Sequence, residues 1–170
     1  MKLKVLFAMF FLSTWSLFAD IPAVGDPAPQ FEGTNQDGNV VKLADFAGKQ
    51  NVLLYFYPKD FTGGCTKEAC GLRDRMGELQ TNNVEVIGVS YDSVDSHKRF
   101  IATNHLNFTL LADPDGTIVN AYGVKMPVLK MAKRVSFLIN TDGKIVHVTD
   151  AGNPKVHFDE MQVAIDGLKK

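Results

Sequence analysis

The chain has 170 residues, of which 45% are hydrophobic and 22% charged, with 18 basic and 19 acidic side chains. A chain of this size can bury a full hydrophobic core in one domain, so it needs no disulfide to hold a minimal fold together. Its nearly balanced charges are interspersed and form no long basic run, which argues against nucleic-acid binding.

The N-terminal segment, residues 1–19, differs from the rest of the chain. A basic start with two lysines is followed by fifteen uncharged residues, fewer than the roughly 20 apolar residues that span a bilayer. The pattern predicts a signal peptide cleaved after Ala19, although Leu17 stands where a small residue is preferred. The alternative is an uncleaved N-terminal anchor. We expect residues 20–170 to form the mature domain, exported to the periplasm of a Gram-negative host, with no stable membrane insertion after processing.

The strands and helices of the mature domain are predicted from apolar runs, turn signals and helical spacing. In chain order they are a strand at 40–43, a helical turn at 45–49, a strand at 52–57, a helix at 65–80, a strand at 84–90, a helix from 93 or 95 to 104, a short helix at 118–122, a hairpin of 135–140 with 144–148, and a helix at 157–168. This order is that of a thioredoxin-like domain, an α/β fold with a mixed central sheet flanked by helices.

Two cysteines, Cys65 and Cys70, are the only ones in the chain, and they follow the predicted strand at 52–57. Cys65 is expected where a loop becomes a helix, and there the helix dipole and unpaired backbone N–H groups favour a thiolate. Cys70 is placed to trap whatever Cys65 becomes. We interpret the two as a reactive pair that needs a source of electrons, because an exported protein meets conditions in which disulfides persist.

The spacing of the two cysteines has a geometric consequence. Residues five apart in an unbroken α-helix have Cα atoms about 8.6 Å apart, whereas a disulfide needs them within about 7 Å. We therefore predict that segment 65–72 unwinds each time Cys65 and Cys70 join, so that oxidation costs helix.

A specific motif surrounds the first cysteine. Pro58, Thr62 and Cys65 give the spacing proline, three residues, threonine, two residues, cysteine. On this motif and on matching segments over nearly all of the mature chain, the protein resembles the peroxiredoxins, most closely their bacterioferritin-comigratory or PrxQ branch. The matching segments are 25–31, 43–49, 55–70, 88–93, 96–97, 122–124 and 134–139.

The resemblance implies a thiol-specific peroxidase with a role in antioxidant defence. The Cys65 thiolate would attack the O–O bond of hydrogen peroxide or an organic hydroperoxide, releasing water or an alcohol and leaving a sulfenic acid. Cys70 would resolve it as an intramolecular Cys65–Cys70 disulfide, and a thioredoxin-like donor would reduce that bond. No cofactor or metal is implied. We expect a monomer, since no extended apolar face can be identified.

The resemblance also assigns three supporting residues, each of which has a plainer alternative. Thr62 would hold the peroxide, or serve only as a helix N-cap. Arg134 would stabilise the thiolate and the leaving oxygen, or be an ordinary solvated arginine. Pro58 would shield the pocket from water, or merely end a strand. Glu68 is interpreted as a solvated helix residue in preference to a partner of Arg134.

The sequence departs from the family pattern at Gly63, which stands where a proline is common after the threonine. Glycine loses more entropy on ordering than proline does, so we expect easier unwinding of the helix that follows. The four histidines fit surface or half-buried positions, and no spacing among them suggests a metal site.

Three other functions remain open on the residues alone. A thiol–disulfide oxidoreductase usually carries Cys-x-x-Cys, whereas four residues separate the cysteines here. A copper-binding domain on the same fold would need a remote histidine such as His147 or His157. A binding module with an inert disulfide would leave the Thr62-to-Cys65 spacing and Arg134 without a role.

Overall fold

The computed structural model describes residues 20–169, so the predicted signal peptide at 1–19 lies outside the described residues. Within them, seven strands form one sheet. The strands are β1 (Glu32–Asn35), β2 (Val40–Lys42), β3 (Asn51–Phe56), β4 (Val84–Ser90), β5 (Thr109–Ala112), β6 (Val135–Ile139) and β7 (Ile145–Thr149). The helices are α1 (Gly63–Asp74), α2 (Met76–Thr81), α3 (Val94–Asn104), α4 (Thr117–Ala121) and α5 (Pro154–Asp166), with 3₁₀ helices at Leu43–Phe46 and Gly167–Lys169.

The sheet is mixed, with the order β2-β1-β5-β4-β3-β6-β7. Its centre is parallel, because β4 pairs in parallel with both β3 and β5. The pairs at the two sides are antiparallel, β1 with β2 and β5, and β6 with β3 and β7. This arrangement confirms the predicted α/β fold with a mixed central sheet flanked by helices.

Both faces of the sheet are covered, which explains why its central strands are mostly apolar on both faces. Alternate residues of β3 enter opposite halves of the core. Leu54 and Phe56 pack in one cluster with Phe137, whereas Leu53 and Tyr55 pack in the other, which also contains Cys65. The first cysteine is therefore built into the core on one face of the sheet.

The structure corrects several predicted elements. The helix predicted at 65–80 starts earlier, at Gly63, and is broken at Arg75 into α1 and α2. The last helix also starts earlier, at Pro154, because Asn153 caps it by accepting from the N–H groups of the next residues. Strands β1 and β5 were not predicted. No helix of residues 20–169 is long and apolar enough to cross a membrane.

The sheet register positions the site. Phe56, the last residue of β3, pairs with Val135, the first residue of β6. The chain segment that follows β3 and leads to α1 therefore starts beside the segment that precedes β6. This pairing brings Arg134 next to the first turn of α1, although about 70 residues separate them in the chain.

Candidate active site

Cys65 is the third residue of α1 and is almost fully buried, with 2% of its surface exposed. Thr62 occupies the N-cap position, and its carbonyl accepts the first helical bond from the N–H group of Thr66. The N–H groups of residues 63–65 come before that first bond and therefore have no acceptor within the helix, as is true at the start of any helix. They add to the positive end of the helix dipole, so this position stabilises negative charge on the sulfur.

Arg134 contacts the sulfur directly, which is what the family resemblance implied. Its Nη2 donates to Cys65 Sγ at 3.2 Å, and its Nη1 donates to Glu68 Oε2. Arg134 is 8% exposed and the Glu68 side chain is fully buried. Because both side chains are buried, the alternatives of a solvated Arg134 and a solvated Glu68 are wrong. Glu68 lies one turn after Cys65 and faces the same side of α1.

A histidine from α5 completes this buried group. His157 Nε2 lies 2.8 Å from Ser136 Oγ and 3.5 Å from Glu68 Oε1. Burial, and then the positive charge of Arg134, lower the pKa of His157 to about 4, so the ring is neutral near neutral pH. We call Glu68, Arg134, Ser136 and His157 the helix cluster.

The expectation that all four histidines lie at surface or half-buried positions is wrong for His97 and His157, both of which are fully buried. A signal for His157 existed in the sequence. His157, Met161 and Ile165 are spaced by four residues and are the buried residues of α5, so the histidine lies on the apolar stripe of its helix. A polar residue on such a stripe needs a buried partner, and Ser136 provides one.

Thr62 and Pro58 lie in the loop between β3 and α1. Thr62 is exposed, and its hydroxyl donates to the carbonyl of Lys59 at 3.0 Å instead of capping the helix. Since a hydroxyl has one proton, Thr62 in this arrangement can only accept from a bound peroxide. Pro58 is half-buried and lies two residues after the end of β3. The structure thus brings Arg134 into contact with Cys65. Thr62 lies three residues before Cys65, at the N-terminal end of α1.

Cys70 is half-exposed, and both cysteines are free thiols. The helix α1 runs unbroken through the two positions, so its geometry keeps their Cα atoms too far apart for a disulfide. In residues 20–169 no group of three or more histidine, cysteine, aspartate or glutamate side chains could hold a metal ion.

Comparison with known proteins identifies the family. The profile of the AhpC/TSA family matches residues 24–148. The chain belongs to the AhpC/TSA family. It is 46% identical over 152 residues to peroxiredoxin Bcp of Escherichia coli, an alignment that covers 86% of this chain and 95% of that protein.

Solved structures place the chain near the same branch of this family. The peroxidoxin BcpB of Mycobacterium tuberculosis superposes with a TM-score of 0.79 at 32% identity, covering 85% of this chain and 96% of that one. Peroxiredoxin Q of Xanthomonas campestris superposes with a TM-score of 0.76 at 28% identity, covering 82% of this chain and 92% of that one. The resemblance to the bacterioferritin-comigratory and PrxQ peroxiredoxins is therefore confirmed.

Proposed function

We propose that Cys65 is the peroxide-reacting residue of this chain and Cys70 its resolving partner. Family and relatives make the chain a thiol peroxidase that reduces hydroperoxides through cysteine. The observation that carries the assignment is the contact of Arg134 Nη2 with the Cys65 sulfur at a helix N-terminus. A related structure, the X. campestris bacterioferritin comigratory protein at 27% identity and a TM-score of 0.76, is described in terms of alkyl peroxide reduction. It supports organic hydroperoxides as substrates alongside hydrogen peroxide.

The first half of the reaction forms a sulfenic acid. The Cys65 thiolate attacks the terminal oxygen of the peroxide, so an S–O bond forms while the O–O bond breaks. The second oxygen leaves with the electron pair and takes up a proton as water or an alcohol. Arg134 and the N–H groups of residues 63–65 stabilise the charge that develops on the leaving oxygen. Thr62 accepts from the peroxide O–H and so orients it.

The second half restores the thiols. The Cys70 sulfur attacks the sulfenic sulfur of Cys65 and displaces water, which forms the Cys65–Cys70 disulfide after α1 has unwound. A thioredoxin-like dithiol then reduces this disulfide by thiol–disulfide exchange. Cys70 is suited to this step because it is already half-exposed in the folded helix.

The test is peroxide consumption by the protein without residues 1–19, with thioredoxin or dithiothreitol as the reductant. We expect turnover in the wild type, none in Cys65→Ser, and in Cys70→Ser a fall in turnover with accumulation of sulfinic acid on Cys65. Mass spectrometry of the cysteine peptides distinguishes these products. A wild-type protein whose Cys65 is not oxidised by peroxide would rule out the proposal.

We also propose that residues 1–19 are a signal peptide removed after Ala19, so that residues 20–170 act in the periplasm. The basic start and the short uncharged run support this proposal. Trp15 is the only tryptophan of the chain, so the processed protein should show tyrosine-like emission. Protein purified from the periplasm of its host provides the test, and an intact mass that includes Trp15 would contradict cleavage.

A further inference from the structure

A second buried polar group lies beneath the loop that carries Pro58 and Thr62. Its centre is Asp60, which is 3% exposed. The Asp60 carboxylate accepts from Tyr57 Oη at 2.8 Å and from Ser96 Oγ at 2.7 Å, and it lies 3.0 Å from His97 Nδ1. We call Tyr57, Asp60, Ser96 and His97 the loop cluster. It ties the loop to helix α3.

His97 extends this connection to the sheet. The ring is fully buried, and its second nitrogen, Nε2, lies 3.2 Å from the carbonyl of Leu111 in β5. Both ring nitrogens thus face oxygen atoms, one on the loop and one on the sheet. His97 therefore connects the loop to a strand through two buried polar contacts.

The backbone of the loop is fixed as well. The N–H group of Asp60 donates to Asp92 Oδ2 at 3.0 Å, and the same oxygen accepts from Ser90 Oγ at 2.8 Å. The side chain of Asp60 is therefore anchored to α3, and its main chain is anchored to the loop that follows β4.

The next residue shows what this anchoring holds in place. Phe61 has a φ of 58°, a left-handed conformation that is unfavourable for a bulky side chain. Its ring is half-exposed and meets the edge of Phe100 in α3, with the ring centroids 5.2 Å apart. Such a conformation persists only where the surroundings fix it, and such residues cluster at functional sites. Phe61 directly precedes Thr62.

We propose that Asp60 and His97 are positioning residues for the peroxide. They hold Phe61 in its left-handed conformation and thereby fix the direction in which the Thr62 hydroxyl accepts. The only proton of that hydroxyl is donated to Lys59, so the orientation of its lone pairs depends entirely on the loop. Neither Asp60 nor His97 touches the peroxide. The inference rests on the proposed role of Thr62 and Cys65.

This role can be separated from general support of the fold. The nucleophilicity of Cys65 depends on the helix N-terminus and on Arg134, whereas the orientation of the peroxide depends on the loop. A displaced loop should slow the reaction with peroxide and leave the reaction with an alkylating reagent unchanged, because the reagent does not need Thr62. Displacement by about 1 Å costs on the order of a hundredfold in rate.

The experiment compares two rate constants of Cys65, with hydrogen peroxide and with iodoacetamide, in a Cys70→Ser background that leaves one thiol. For His97→Leu and Asp60→Asn we expect the peroxide rate constant to fall about a hundredfold, with the iodoacetamide rate constant unchanged. Lys98→Ala is the matched control, because it changes an exposed side chain of the same helix, next to His97, and lies outside the loop cluster. It should change neither rate constant.

Each outcome decides the matter. Parallel loss of both rate constants, or loss of neither, in folded His97→Leu would overturn the proposal. If His97→Leu and Asp60→Asn do not fold, Ser96→Ala decides, since it removes only one hydrogen bond to Asp60 and should lower the peroxide rate constant selectively, by a smaller factor. If the Cys70→Ser protein without a further substitution does not react with peroxide, the proposed function itself is refuted.

Discussion

The loop cluster and the helix cluster differ in how completely their buried polar atoms are paired. In the loop cluster, both carboxylate oxygens of Asp60 and both ring nitrogens of His97 have partners. In the helix cluster, Glu68 Oε1 is buried without a hydrogen-bond partner and lies 3.5 Å from the His157 ring. An unpaired buried carboxylate oxygen carries a desolvation penalty that the loop cluster does not incur at Asp60.

This difference matches what the proposed reaction requires of each cluster. In that reaction the loop has to keep its shape for every peroxide that binds, and a fully paired cluster is rigid. Formation of the proposed Cys65–Cys70 disulfide would require α1 to unwind between the two cysteines, and because Glu68 lies between them, unwinding would also remove Glu68 from Arg134. Incomplete pairing of the helix cluster lowers the cost of that opening. Substitutions that change one cluster at a time separate the contributions of the two.

The largest effect is expected from Arg134→Leu, which removes the cation that contacts the sulfur. The peroxide rate constant of Cys65 should fall about 10²–10³-fold, the usual result of removing a donor that stabilises a developing anion. Unlike His97→Leu, this change should also slow alkylation by iodoacetamide, because Arg134 acts on the sulfur and not on the peroxide. Stopped-flow oxidation and alkylation measure both rates.

Lys133→Leu is the matched control for that change. It removes a positive charge one residue away on a half-exposed side chain, where a single charge has little effect. Equal peroxide rate constants for Arg134→Leu and the wild type would show that the contact with the sulfur has no catalytic role.

The next effect concerns the dependence of stability on pH. His157 has a pKa of about 4 in the folded protein against its usual 6.5, so below 6.5 the unfolded chain binds a proton that the folded chain does not. The contribution of His157 is therefore fully present above pH 6.5 and is lost as the pH falls to about 4. The loss of unfolding free energy amounts to about 3 kcal/mol.

Urea unfolding of the wild type and of His157→Gln across that pH range isolates this contribution. The variant should lose less unfolding free energy on acidification than the wild type does. His105→Gln, at an exposed position, should follow the wild type. Parallel curves for the wild type and His157→Gln would mean that His157 takes up its proton without any cost to folding.

The fold was predictable where apolar patterns are long. Strands β3 and β4 are mostly apolar, and their predicted bounds lie within one residue of those observed. Strands β1 and β5 have four residues each, and Glu32–Asn35 contains no apolar side chain to signal it. Strand β1 forms because β5 and β2 pair with it, and the local sequence of β1 does not reveal that pairing.

The site was predictable to the extent that it lies in one short segment. Pro58, Thr62 and Cys65 form a local motif, and the family resemblance added Arg134. The burial of Glu68 was not predictable, because its partners come from the residue before β6 and from α5, about 70 and 90 residues further along the chain. Local spacing shows which residues share a helix face, and only the fold shows what covers that face.

The smallest effect is expected at Gly63, the first residue of α1. A Cβ atom there would meet no heavy atom within 4 Å, and the preceding Thr62 has φ −87° and ψ 144°, a conformation that suits the residue before a proline. Gly63→Pro should therefore fit, restrict the unwound chain, and stabilise the reduced helix by about 0.4–1 kcal/mol. Closure of the Cys65–Cys70 disulfide should slow by about two- to fivefold as a result.

Gly64→Ala gives the contrasting change at the neighbouring position. Its Cβ would lie 2.9 Å from Pro154 Cγ, so it pushes α5 away from α1 and should speed closure. Closure is followed after a pulse of peroxide, and far-UV circular dichroism should show less helix in the oxidised than in the reduced protein. Equal or faster closure in Gly63→Pro would mean that the first turn of α1 does not limit unwinding. The opening would then have to begin further along the helix, near Glu68, where the unpaired carboxylate oxygen lies.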